Sequence, residues 1–140
     1  LGRKANAGYF DYDEKGKRTG YWKGIHDKYP LADEQPAIQE VQDRLMFSQV
    51  LEAVRALEEG VLEDIREGDV GAILGWGFAP ATGGPFSYLD IIGTPYAAER
   101  CDQLQAKFGD RFECPALLRE MAAKNQSFYG RFGKEDTAAA

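Results

Sequence analysis

The chain has 140 residues, 44% hydrophobic and 29% charged, which is enough for one soluble domain with its own core. Residues 1–30 hold seven Lys and Arg against four Asp and Glu, and residues 31–140 hold ten against nineteen, balances of +3 and −9. An acidic body argues against nucleic acid as a partner, no apolar run approaches the ~20 residues of a membrane span, and LGRKANAGYF lacks the apolar heart of a secretory signal.

Residues 1–35 read as an irregular arm. GYFDYDEKGKRTGYWKG alternates aromatic and polar residues and turns at Lys15-Gly16, the pattern of a short hairpin. Tyr9, Phe10, Tyr12, Tyr21 and Trp22 give the arm enough apolar area to lie against a larger body, since five loose aromatics in water are unfavourable. Its basic charge suits either an anion or the acidic body; a plain solvated linker is the blander reading.

Asp33-Glu34-Gln35-Pro36 has the acidic first turn and early proline of a helix start. From Ile38 the apolar residues fall at 38, 41, 45, 47, 50, 51, 54, 57 and 61, a helical spacing that predicts a long core helix ending near Gly60 to Leu62. Asp69 is expected to cap a second, short helix that Gly75 and Gly77 end. Pro80 to Gly84 form a loop, and Pro85 opens a third helix to Ile92. Thr94-Pro95 opens a fourth, with Ala97, Ala98, Cys101, Leu104 and Phe108 as its stripe, stopped by Gly109. Pro115 opens a fifth, after which SFYGRFGKEDTAAA reads as a fraying tail, flexible over residues 130–140. The expected fold is all-α, about five helices over residues 36–129.

Cys101 and Cys114 form no CxxC pair and the only histidine, His26, is remote, so no metal site is expected. A Cys–His nucleophile pair is formally open, but Cys101 on a helical stripe reads as a core thiol, and two unpaired cysteines fit a reducing compartment.

GWGFAPATGGPFSYLD, Gly75 to Asp90, raises the question of a phosphate loop. A Walker loop needs GxxxxGK[ST], and here Pro85 follows the second glycine pair. A dinucleotide fingerprint needs GxGxxG after a strand, and here a helix precedes and Pro80 stands in the third glycine's place. The stretch therefore reads as a helix–loop–helix corner built by Gly75, Gly77, Pro80, Gly83, Gly84 and Pro85, either alone or as one wall of a pocket.

The ordered run DRLMFSQVLEAVRALEEGVLEDIREGDVGAILGWGFAPATGGPFSYLDIIG resembles the C-terminal helical domain of 3-hydroxyacyl-CoA dehydrogenases, most closely the last domain of the multifunctional fatty-acid oxidation enzymes. GYFDYDEKGKR is similar to the link between their two helical repeats, and the resemblance covers roughly Gly8 to Tyr129. It implies a helical domain like the C-terminal one of 6-phosphogluconate dehydrogenase, residues 1–35 being the inter-repeat linker. It also implies a parent that oxidises 3-hydroxyacyl-CoA to 3-ketoacyl-CoA. NAD would be bound by a Rossmann domain that these residues do not include, with no cofactor held in this segment. The Rossmann domain and the preceding helical repeat would be its partners, and acyl-CoA its substrate.

The catalytic His and Glu of the family lie in that other domain, and His26 does not match that histidine. The family's Asn-Arg-Leu motif is here Asp43-Arg44-Leu45; an ionised Asp cannot donate to an oxyanion, so Asp43 suits a second, non-catalytic repeat, solvated or paired with an arginine. No catalytic or cofactor-binding residue is assigned. Trp76 and Phe78 are expected to line or back the acyl-CoA site. The chain, which opens on Leu1 rather than Met, is expected to be an inactive piece of a longer enzyme that closes a substrate cleft and packs in a pseudo-dimer. Alone, it should self-associate through the long helix. The bacterial cytoplasm is the expected compartment, or the peroxisome or mitochondrion in a eukaryote. The rival reading is a free-standing helical module that binds a protein or an acyl chain.

Overall fold

The computed structural model describes residues 3–5 and 8–133. They divide into two units between Ala37 and Ile38, each described by itself.

In the first unit, β1 (Phe10–Tyr12) pairs antiparallel with β2 (Arg18–Tyr21), Phe10 opposite Tyr21 and Asp11 opposite Gly20, with an irregularity before Tyr12. The turn closes because the Asp13 carboxylate accepts the N–H groups of Lys15 and Lys17 at 2.9 and 2.8 Å and Gly16 takes a φ of 72°. Phe10 and Tyr21 stack at 5.1 Å, with the Arg18 guanidinium 4.4 Å from the Phe10 ring centre. The hairpin expected from the alternation is present, followed by one turn of helix, α1 (Ile25–Lys28).

The second unit is helical: α2 (Ile38–Glu58), α3 (Ile65–Trp76), α4 (Pro85–Ile92), α5 (Thr94–Phe108), α6 (Ala116–Ala123) and α7 (Phe128–Phe132). Phe47, Val50, Leu51 and Val54 of α2 meet Leu89 and Phe86 of α4, Ala97, Cys101 and Leu104 of α5, and Leu118 and Met121 of α6 in one buried cluster. Both cysteines are buried and reduced. All five expected helices are present.

Several boundaries differ from the sequence expectation, and α2 ends at Glu58, short of the expected Gly60 to Leu62. The long helix starts at Ile38, two residues beyond Pro36. The second helix starts at Ile65, because Asp64 accepts the Arg66 N–H at 2.8 Å and caps it; Asp69 lies inside it and is buried. Gly75 does not end it: the helix runs on through Trp76, and only Gly77, at a φ of 78°, turns the chain out.

The expected fraying tail begins too early. Ser127 caps α7 through the Gly130 N–H at 3.0 Å, and Phe128 is fully buried, 5.2 Å from the Phe86 ring. Residues 130–132 are thus helical, and residues 134–140 lie outside the described residues. The α2 stripe also divides. Its later turns are core, while Ile38, Val41 and Leu45 stand 77%, 38% and 62% exposed.

Candidate functional site

The glycine corner joins α3 to α4, and it is shaped more by a carboxylate than by its glycines. Asp69 is 2% exposed. One of its oxygens accepts the Phe86 N–H at 2.7 Å; the other accepts the Ser87 N–H at 3.1 Å, the Ser87 hydroxyl at 2.6 Å and the Tyr129 hydroxyl at 3.0 Å. The first N–H groups of a helix have no partner within it and carry partial positive charge, so a carboxylate placed there is stabilised. Asp69 supplies from α3 the cap that Gly84, having no side chain, cannot give α4. Burial, and then the hydrogen bond to Asp69, hold the Tyr129 phenol above its ordinary 10.0.

Gly84 allows the approach. Its φ is 121°, and a Cβ there would lie 2.4 Å from the Asp69 Cβ. Pro80 opens a short 3-10 turn (Pro80–Thr82) that Gly83 closes at a φ of 81°, and Pro85 fills the first position of α4. Gly75 has no such duty, since a Cβ there meets nothing within 4 Å. The capping motif repeats at Asp90, whose oxygens accept the N–H groups of Phe128 and Tyr129 at 2.6 and 2.9 Å and so cap α7. Sequence reading misses both carboxylates as caps of another helix, Asp69 of α4 and Asp90 of α7; the signal available is an acid embedded among the apolar residues of each helix.

The two expected ligand-adjacent rings part company. Phe78 is 2% exposed and belongs to the core, its N–H donating to the Ala72 carbonyl at 3.2 Å across the helix end. Trp76 is 62% exposed, and its indole N–H donates to Gln49 Oε1 at 3.1 Å, tying the end of α3 to α2. Leu45 lies one turn before Gln49 on α2, so Ile38, Val41, Leu45, Gln49 and Trp76 form one run along the surface.

Asp43 is buried and paired. Arg100 Nε of α5 donates to one oxygen at 2.7 Å and Gln39 Nε2 to the other at 2.8 Å. Of the two expectations for this residue, the arginine pair is the one observed. Burial, then the Asp43 charge, raise the Tyr88 phenol above its ordinary value. A carboxylate with both oxygens engaged this way is a brace between α2 and α5.

No cluster of three or more metal-ligating side chains occurs among the described residues, and no described helix is long and apolar enough to cross a membrane.

No family model matches the chain. Among curated proteins it is 39% identical over 132 residues to the fatty acid oxidation complex subunit alpha of Shewanella amazonensis, 38% over 131 residues to that of Shewanella loihica, and 37% over 130 residues to that of Vibrio vulnificus. Each match takes in 91% of this chain and 18% of the relative. The chain thus spans about a fifth of the length of these curated relatives, and over that stretch it belongs to the family of the fatty acid oxidation complex alpha subunits.

Proposed function

We propose that this chain is the C-terminal helical segment, with its preceding linker, of an NAD-dependent 3-hydroxyacyl-CoA dehydrogenase of fatty-acid β-oxidation. In this reading it closes one side of the acyl-CoA cleft and packs against a preceding helical repeat, while NAD and the proton-abstracting groups belong to a Rossmann domain elsewhere in the parent. The observation that carries the reading is the division of α2. Its later turns are core, whereas Ile38, Val41 and Leu45 present an apolar face that the described residues of the helical unit leave 77%, 38% and 62% exposed. A long helix with half its stripe in water is the expected form of a unit whose partner is another unit. Asp43, with both carboxylate oxygens engaged by Arg100 and Gln39, supports a non-catalytic repeat, because it is turned to these donors rather than to a substrate carbonyl. The bacterial relatives point to the cytoplasm as its compartment.

Complementation tests this. The purified chain should oxidise no 3-hydroxyacyl-CoA with NAD. Added to a Shewanella amazonensis alpha subunit truncated to lack the matching segment, it should restore dehydrogenase activity. Turnover by the chain alone, or failure to bind the truncated subunit, would overturn the reading. Without that neighbour the same face should drive self-association, visible as a sedimentation coefficient that rises with concentration.

A further inference from the structure

The helical unit carries seven arginines, and five of them have a carboxylate partner: Arg55 with Glu52, Arg66 with Asp64, Arg100 with Asp43, Arg119 with Asp102 and Arg131 with Glu120. Among the described residues, Arg44 and Arg111 form no ion pair, and both line the same groove, between α2 and the turn that follows α5. Its volume is about 460 Å³ and no carboxylate lines it. Acids outnumber bases nineteen to ten over residues 31–140, so two unpaired guanidiniums sharing one groove without an acid are a local reversal of the surface charge.

The floor is apolar. Val41 and Leu45 come from α2, and Phe108 and Phe112 from the other wall, their rings edge to face at 6.2 Å. The Arg44 guanidinium lies 4.2 Å from the Phe108 ring centre, which orients it without neutralising it.

We infer that this groove binds one molecule of a free anionic amphiphile, its carboxylate between Arg44 and Arg111 and its alkyl chain along Val41, Leu45, Phe108 and Phe112. A planar guanidinium recognises a carboxylate in bidentate fashion, and two of them around an apolar trough select a ligand that is charged at one end and oily along its length. Val41 and Leu45 also belong to the face proposed above to meet a preceding repeat, so the inference concerns the separate chain, where that face is exposed, and the amphiphile would compete with the repeat for it.

Titration of the chain with sodium decanoate, below its micellar concentration and at pH 7, tests it by calorimetry and backbone NMR. One saturable site is expected, at least about tenfold tighter than acetate and than decanol, weakened by salt, with shifts centred on Val41, Leu45 and Phe108. Arg111→Gln should weaken binding about tenfold and Arg111→Lys by much less. Arg111 is exposed and makes no ion pair among the described residues, so its variants are expected to fold, and matching thermal melts check this. Acetate or decanol binding as tightly as decanoate, or undiminished binding by Arg111→Gln, would overturn the inference. So would shifts centred on Leu74 and Ile91, no binding at all, or association with phosphatidylglycerol vesicles but not with dissolved decanoate.

Discussion

The Asp69 carboxylate accepts the Phe86 N–H at 2.7 Å, a buried bond that crosses seventeen residues and fixes the angle at which α4 leaves the corner. The bond requires that nothing stand between α3 and the residue before Pro85, and only glycine at position 84 satisfies that.

The two kinds of glycine in this corner should respond oppositely to alanine. Gly84→Ala forces a Cβ to 2.4 Å from Asp69 at a φ of 121°, so it should cost about 2 kcal/mol or more. Gly75→Ala, in an exposed helical turn with open space around it, should be neutral or stabilise by up to about 1 kcal/mol. Urea denaturation midpoints read both, and equal midpoints for the two variants would contradict the assignment of Asp69 as the cap.

The Asp43–Arg100 brace should behave as a coupled unit. Arg100→Met leaves a buried carboxylate with only Gln39, and should cost about 3 kcal/mol. Asp43→Leu combined with Arg100→Met should cost much less than the sum of the single changes, since the isolated charge is gone. A double-mutant cycle should return a coupling of about 1–3 kcal/mol. Strict additivity would mean that the ion pair is incidental to the packing of α2 on α5.

Acidification should weaken the start of α3. The Arg66 side-chain hydrogen bond, followed by the Arg66 N–H, lowers the Asp64 carboxyl from 3.8 to about 2. A group with a depressed folded pKa contributes stability that is present above about pH 4 and is lost as pH falls toward 2. Asp64→Asn keeps the capping oxygen but cannot titrate, so its melting temperature should fall less steeply between pH 5 and pH 2.5 than that of the parent. The pair lies at the surface, so the difference should shrink in high salt. Parallel slopes for variant and parent would remove Asp64 from the acid response.

The helices were legible because spacing of three and four places Val50, Leu51 and Val54 on one face whatever they later touch. The partner of a carboxylate is not encoded that way. Asp64 and Asp69 are both competent caps five residues apart, and only the fold reveals that the first caps its own helix and the second caps α4. The same blindness made SFYGRF read as tail, for its helix depends on Asp90, nearly forty residues upstream. Periodicity also cannot say whether a stripe meets its own chain or another, which is why Ile38 and Leu45 read as core. Nor can glycine-spaced aromatics reveal which ring turns inward: one residue separates Trp76 from Phe78, yet the helix end puts them on opposite sides.

That separation gives a kinetic test of the corner in the longer enzyme proposed above. Trp76 is 62% exposed and held by one hydrogen bond, so Trp76→Ala should change stability by less than about 1 kcal/mol. If the indole forms part of the acyl-CoA wall, the same variant should raise KM for a long-chain 3-hydroxyacyl-CoA several-fold with kcat nearly unchanged, because the contact would serve substrate and transition state alike. Phe78→Ala should do the reverse, costing about 3–5 kcal/mol by opening a cavity in the core. Gln49→Leu separates the two roles open to the indole. It removes the bond that orients Trp76 without removing the ring, and a wall that depends on that orientation should lose part of the affinity that Trp76→Ala loses in full. An unaltered KM in Trp76→Ala would reassign the ring to the packing face it shares with Leu45, where the measurable effect would be weaker self-association of the isolated chain.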